Sequence, residues 1–201
     1  MASARLPLAL RWQRLLDPAW GRAITTPRLT LRPPRMADAV AIFAYAKDEQ
    51  VARYVLWDSH LSLRDSRLAL RAIRQGNRTR GIITFAICPR QSDQLIGTIG
   101  PVWVDWGNRA CEVGFSMARA HWGQGLMTEA LSAFLRYAFF DLGLNRVEGQ
   151  YDLRNPASGR VMHKAGMAYE GKLRQRLFYK GEYADVGLYA VIREVWASSA
   201  M

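Results

Sequence analysis

The chain has 201 residues, 50% apolar and 22% charged, which suits one folded domain with a sizeable core and excludes a disordered chain. No apolar run approaches the length of a membrane helix, and the stretch at residues 6–10 is too short, and too interrupted by Pro7 and Arg11, to act as a secretory signal. The net charge of +11 favours an acidic partner (nucleic acid, a polyanionic cofactor or an acidic protein) and says nothing about fold.

Residues 1–25 read as a basic leader carrying Trp12, Leu15, Leu16 and Trp20. The domain is expected over residues 26–196, with a short tail at 197–201. Leu29 and Leu31 alternate with Thr30 and Arg32 as a first strand, which Pro33 and Pro34 end. Residues 37–46 read as a helix with Val40, Phe43 and Ala44 on one side. Ser62, with Asp65 three residues on, resembles a capping box and opens a second helix to about Gln75. The period then switches to two. Residues 83–88 and 94–104 read as strands joined by a polar turn, and 109–117 as a further strand. On that strand Cys111, Val113, Phe115 and Met117 face one way, and Ala110, Glu112, Gly114 and Ser116 the other. A long helix then lines up Met127, Ala130, Leu131, Phe134, Leu135 and Ala138, with Gly143 as its cap. Residues 146–153 form a strand. Asn155 as N-cap and Pro156 at the first helical position open a short helix that ends at Gly166. A hairpin over residues 173–179 and 185–192 closes the chain. Cys88 and Cys111 fall in strands and read as buried free thiols of a reducing, cytoplasmic compartment. With three scattered histidines they make no metal-binding spacing, and no structural metal is expected.

The most informative stretch is Trp122-Gly123-Gln124-Gly125-Leu126-Met127, between a strand and a helix. Two glycines one residue apart let the backbone close around a ligand. The helix that follows offers unpaired N–H groups and the positive end of its dipole, so the turn outlines a phosphate cradle. It matches neither of the two better-known glycine-rich phosphate loops.

Three pieces in fixed order carry a resemblance: the strand ending at Phe115-Ser116-Met117, the glycine turn with its helix, and the run from Asn155-Pro156-Ala157-Ser158 to Lys164-Ala165-Gly166-Met167. Together they resemble the GNAT superfamily of acetyl-CoA-dependent N-acyltransferases. Thr26-Pro27-Arg28-Leu29-Thr30-Leu31-Arg32, the segment from Arg53 to His60 and Gly181-Glu182-Tyr183-Ala184-Asp185 are similar to the ribosomal-protein N-terminal acetyltransferases of the RimJ/RimL type. Two positions depart from the pattern. Ala120 replaces a Gln or Arg before the glycine turn, and Met162 stands where many members carry a tyrosine, which excludes a tyrosine acid there.

The resemblance implies an α/β (α+β) fold: a mixed, mostly antiparallel sheet with one splayed strand pair and helices on both faces. It implies acetyl-CoA as cosubstrate, in the gap between the Glu112 and Arg146 strands. Backbone groups of Phe115, Ser116 and Met117 would pair with the pantetheine arm. Trp122, Gly123, Gln124, Gly125, Leu126 and Met127 would surround the pyrophosphate, and Asn155 and Ser158 would contact the cofactor. Glu112 is the candidate base, against an alternative as an ion-pair partner of an arginine across the sheet. Ser158 is the candidate donor to the leaving thiolate, against an alternative as a helix cap. Trp57 and His60 are placed at the acceptor pocket. His121 and His163 read as surface residues.

Arg64, Arg67, Arg71, Arg74 and Arg78 recur at helical spacing and fall within an arc of roughly 80°. Such a stripe is either a solvated face or the seat of an acidic partner. Arg67, Arg71 and Arg74 are therefore candidates on the acceptor side, for an acidic protein N terminus, a ribosomal protein or rRNA phosphates. The expected activity is acetyl transfer to a protein N-terminal amine by a monomer or homodimer. Alternatives are a small-molecule amine acetyltransferase (aminoglycoside, polyamine or amino acid) and a non-enzymatic nucleic-acid-binding module on the same fold.

Overall fold

The computed structural model describes residues 21–199. Trp12, Leu15, Leu16 and Trp20 of the expected leader, and residues 200–201 of the tail, lie outside the described residues. Eight strands form one sheet: β1 (Ile24–Thr25), β2 (Leu29–Arg32), β3 (Phe85–Pro89), β4 (Gly97–Asp105), β5 (Ala110–Met117), β6 (Arg146–Asp152), β7 (Ala168–Tyr179) and β8 (Glu182–Ile192), in the order β1-β2-β3-β4-β5-β6-β8-β7. The helices are α1 (Ala39–Ala46), α2 (Glu49–Ala52), α3 (Leu63–Arg80), α4 (Leu126–Arg136), α5 (Pro156–Lys164) and α6 (Arg193–Ser199). Every neighbouring strand pair is antiparallel except β5 and β6, which run parallel. The sheet starts at Ile24, inside the stretch read as leader, because Ile24 and Thr25 pair with Leu31 and Thr30.

Two apolar clusters flank the sheet. The larger unites the inner faces of the strands with α4 and α5 through Leu131, Phe134, Leu135 and Met162. The smaller joins α1 to Leu70 of α3, Ala86, Cys88 and Leu95. Helices thus cover both faces, and both Cys88 and Cys111 are buried free thiols. The side of α1 that packs differs from the expected one. Ala39, Ile42, Tyr45 and Ala46 are buried while Val40 is 66% exposed. The reason lies at the residue just before the helix: buried Asp38 takes a two-pronged ion pair from buried Arg32, at 2.7 and 2.8 Å, and this fixes the helix's rotation on the sheet.

The capping box at Ser62 forms as expected, with Asp65 accepting from the Ser62 N–H at 2.8 Å. Helix α3 runs beyond Gln75 to Arg80, where Gly81 takes a left-handed conformation. Asn77 holds the extra turn in place. Its amide exchanges two hydrogen bonds with the Thr84 backbone, at 2.8 and 3.2 Å. The closing hairpin is also longer than the alternation suggests. β7 is an edge strand whose side chains are mostly exposed, so its first residues leave no apolar period to read. Lys180 and Gly181 both have positive φ, as a two-residue hairpin turn requires.

Candidate functional site

The parallel pair β5–β6 carries the site. Its register covers Ala110↔Arg146, Cys111↔Val147 and Glu112↔Glu148, and stops there. Beyond Glu112, β5 stays paired with β4 while β6 stays paired with β8, so the two strands part toward their carboxyl ends. The opening widens into a cavity of about 1070 Å³. A crevice at the carboxyl ends of parallel strands is where open α/β sheets bind ligands. The free edge of β5 over Val113–Met117 borders it with backbone groups that β6 no longer satisfies.

One wall is the glycine turn. Gly123 and Gly125 both have φ +73°, which favours residues without a Cβ. A Cβ on Gly123 would meet nothing within 4 Å, so the turn is open where the first amides of α4 emerge. The turn is braced from the other end of the chain. Arg28 Nη1 donates to Gln124 O at 2.9 Å, and its Nε donates to Glu129 in the first turn of α4 at 2.7 Å. The Arg28 N–H and Thr26 Oγ1 donate to the same carboxylate at 2.8 and 2.6 Å. Burial alone would raise the Glu129 carboxyl, but these donors outweigh it and hold it below the usual glutamate range. Trp122 Nε1 donates to Met117 O at 2.7 Å and ties the turn to the end of β5.

Glu112 stands at the point of the splay, half-buried. Trp103 Nε1 and Gln150 Nε2 donate to its Oε2 at 2.7 and 3.2 Å. Both donors are neutral, and they come from opposite sides of the opening. A β-bulge between Pro101 and Trp103 sets Trp103 opposite Glu112. Its register partner Glu148 is paired with Arg146 at 3.1 Å. Burial pushes the Glu112 carboxyl above the usual glutamate value, and the charge of Glu148 adds to that. The two hydrogen bonds and the charge of Arg176 act in the opposite direction and do not cancel the rise.

On the far wall, α5 presents Asn155 and Ser158. Asn155 caps α5 only through its backbone carbonyl, which accepts from the Ser158 N–H at 3.2 Å. Its side chain does not cap the helix; Nδ2 donates to Ser158 Oγ at 3.0 Å. The Ser158 hydroxyl hydrogen is thereby free to point at another acceptor. Met162 is buried against Gly149, in the core rather than at the site.

One cavity thus brings together Glu112, Phe115, Ser116, Met117, Trp122, Gly123, Gly125, Leu126, Met127, Asn155, Ser158 and Trp57. Gln124 does not line it; its side chain donates back to Ala120 O at 3.0 Å. His60 lies behind Trp57, with ring centroids 5.5 Å apart and Nδ1 at 2.7 Å from Ser66 Oγ, where burial lowers its pKa. Arg67, Arg71 and Arg74 do not border the cavity. The cavity-facing residues of α3 include Ala72, Gly76 and Arg80. At about 100° per residue the arginine stripe centres about 180° from them. Of the histidines read as surface residues, His163 is exposed, whereas His121 borders the cavity.

The supports of these residues carry no motif in the sequence. Trp103 and Gln150 hold Glu112; alternation places Gln150 on the strand face of Glu148, and only the pairing of β5 with β6 brings that face to Glu112. Tyr151, in the cavity wall, sits in a slot between Gly159 and Gly187, where added Cβ atoms would approach its ring to 2.8 and 2.3 Å. Buried Asp152 accepts from Tyr179 Oη at 2.5 Å and from Arg154 Nη2 at 2.7 Å. Burial and the adjacent carboxylate push Tyr179 up to about 12, so it stays a proton donor.

Residues 28–168 match the family described as acetyltransferase (GNAT) domain. The uncharacterized N-acetyltransferase YoaA of Bacillus subtilis (strain 168) is 31% identical over 170 residues, covering 85% of this chain and 96% of the relative. The ribosomal protein uS5 alanine N-acetyltransferase of Escherichia coli (strain K12) is 26% identical over 181 residues, 86% of this chain and 92% of the relative. Among solved structures, Mycobacterium smegmatis RimJ in complex with CoA-disulfide superposes with a TM-score of 0.79 at 23% identity, covering 87% of this chain and 89% of that one. That likeness concerns the fold.

Proposed function

This chain belongs to the acetyltransferase (GNAT) family, and from that premise we propose that it transfers an acetyl group from acetyl-CoA to the N-terminal α-amino group of a protein, with ribosomal proteins as the acceptor class. The observation that carries the reading is the single cavity in which the free edge of β5, the glycine turn, Glu112 and Ser158 meet. The acceptor class rests on relatives such as the uS5 alanine N-acetyltransferase.

The residues fit acetyl-CoA. The bare turn at Gly123 and Gly125 suits a pyrophosphate held by backbone N–H groups at a helix N-terminus. The unpaired edge of β5 suits an extended amide-bearing arm, which would add to the sheet as a strand does. When bound, acetyl-CoA supplies an activated thioester carbonyl.

The chain's own residues do the rest. An α-amino group has a pKa of ~7.7–8.0, so part of it is already neutral near pH 7 and a modest base suffices. Glu112 accepts a proton from the amine as the new C–N bond forms. Its raised pKa brings it closer to the working pH, where a general base is most effective. Trp103 and Gln150 hold its Oε2, which leaves Oε1 for the amine or an intervening water. Ser158, already accepting from Asn155, donates toward the sulfur as the C–S bond breaks. Positioning both reactants in one cavity supplies a large share of the rate.

The test is acetylation by the purified chain of peptides that copy ribosomal-protein N termini, with acetyl-CoA as donor, read by mass spectrometry. Acetyl on the α-amine supports the reading. Acetylation of small cationic amines with no peptide product would transfer the function to a small-molecule acceptor.

A further inference from the structure

β7 departs from its partner at one place. Leu173 pairs with Val186 and Leu177 with Ala184, so Arg174, Gln175 and Arg176 stand opposite the single residue Asp185. This bulge is a built feature. Gln175 takes a positive φ of 47°, uncommon for a side-chain-bearing residue, and its N–H donates to Asp185 Oδ1 at 2.8 Å. Lys172 holds Asp185 Oδ2 at 2.6 Å. Asp185 is therefore committed to Lys172 and the Gln175 backbone, and does not neutralise Arg176.

Arg176 projects from this bulge into the cavity wall. Among the described residues it forms no ion pair or hydrogen bond, and its charge acts on Glu112. Arg80 also borders the cavity without an ion pair among the described residues, its Nη1 donating to Pro101 O at 3.1 Å, but it is Arg176 whose charge acts on Glu112. Arg160 and Lys164 border it from α5, the helix that carries Ser158. The acceptor end of the cavity thus pairs a carboxylate that can receive an amine's proton with a guanidinium that lacks an anion.

We infer that Arg176 is a specificity-determining residue that binds a carboxylate close to the acceptor's reacting amine. The inference rests on the acetyl-transfer reading above and narrows its substrate class: the acceptor is an amine with a nearby carboxylate. An arginine fork recognises a carboxylate by two parallel hydrogen bonds, which fixes orientation as well as charge. With the amine at Glu112 and the anion at Arg176, the acceptor is held at two points. The carboxylate can belong to an acidic side chain at the second position of a protein N terminus or to the α-carboxylate of a free amino acid.

The experiment uses the full chain, acetyl-CoA and three acceptors: the C-terminally amidated peptides Ser-Glu-Ala-Ala and Ser-Gln-Ala-Ala, and free serine. Wild type should favour the Glu peptide over the Gln peptide in kcat/KM by about tenfold, the scale of one partly exposed charge-assisted hydrogen bond. Arg176→Gln should bring the two peptides to near equality through KM for the Glu peptide, while Arg176→Lys keeps part of the preference. A change in Glu112 caused by losing the neighbouring charge would move both peptides alike and leave their ratio intact. If free serine outruns both peptides and loses that advantage in Arg176→Gln, the carboxylate is the α-carboxylate, and the inference stands. Equal turnover of all three acceptors by wild type, or a preference unaltered in Arg176→Gln, overturns it while acetyl transfer stands. Acetylation of none of them overturns the acetyl-transfer reading and the inference with it.

Discussion

Glu112 answers to two opposing demands. Its position at the start of the strand opening removes it from water, which costs stability for the charged form, and the same cost makes it a better proton acceptor. Its folded-state pKa is raised, so the folded chain binds this proton more tightly than the unfolded one. Stability from that proton is present below the usual glutamate value and is lost as pH rises through the raised value. Glu112→Gln keeps an oxygen for Trp103 and Gln150 and removes the charge. We expect a Tm at pH 8 no lower than wild type, with kcat reduced by about 10² or more, the low end for a general base. The acid limb of the pH–rate profile should disappear, and an unchanged profile would make Glu112 structural. Ser158→Ala should lower kcat with little change in the Kd for acetyl-CoA, since its hydrogen bond is needed only as charge grows on sulfur. Equal loss in both would return Ser158 to a role in holding α5.

These residues were legible to different degrees. The face of β5 that carries Glu112 followed from the alternation of Cys111, Val113 and Met117, all buried. What surrounds Glu112 did not, because Trp103 and Gln150 reach it across strand register and a bulge, which no local pattern encodes. Asn155 was legible as a helix start but not in its second task, since a side chain turned toward Ser158 is indistinguishable in sequence from a cap.

At the scale of elements, the glycine turn and the segment carrying Thr26 and Arg28 that braces it act together. Gly125→Val places a side chain at φ +73°, a strain of about 1–3 kcal/mol, and crowds the mouth of the turn. For wild type, acetyl-CoA at 100 times its Kd should add about 2.7 kcal/mol of stability. Differential scanning fluorimetry should show that rise in Tm for wild type and its loss in Gly125→Val. The same rise in both proteins would remove the turn from the cofactor site. Arg28→Ala should weaken acetyl-CoA binding by a few fold without touching the acceptor KM, because Arg28 links Gln124 O to Glu129. The segment of Thr26 and Arg28 was visible only as a marker of resemblance. Its partner lies 101 residues away, and an ion pair at such separation leaves no periodic trace. Helices with strong caps were read well at their starts, as at Ser62, and less well at their ends, where Asn77 and Thr84 extend α3 through a tertiary contact.

At the scale of the whole molecule, the crevice and the arginine stripe lie on separate faces. The sheet order opens a crevice between β5 and β6, the seat of the proposed reaction. The arginine stripe of α3 faces away from it, so its influence on an acceptor acts through long-range attraction, screened with a Debye length of ~8 Å at physiological salt. Replacing Arg67, Arg71 and Arg74 by glutamine should leave KM for short peptides unchanged and raise it for an intact acidic protein at low salt. An equal rise for short peptides would place the stripe at the cavity after all.

The proposed reaction is acetylation of protein N termini at the crevice that holds Glu112. Its most direct measurement compares the acetylation of protein N termini, by mass spectrometry, in cells with the intact gene, without it, and with only the Glu112→Gln form. A defined set of N termini, ribosomal proteins among them, should lose acetyl when the gene is removed and not regain it with Glu112→Gln. N termini identical in all three strains would contradict it.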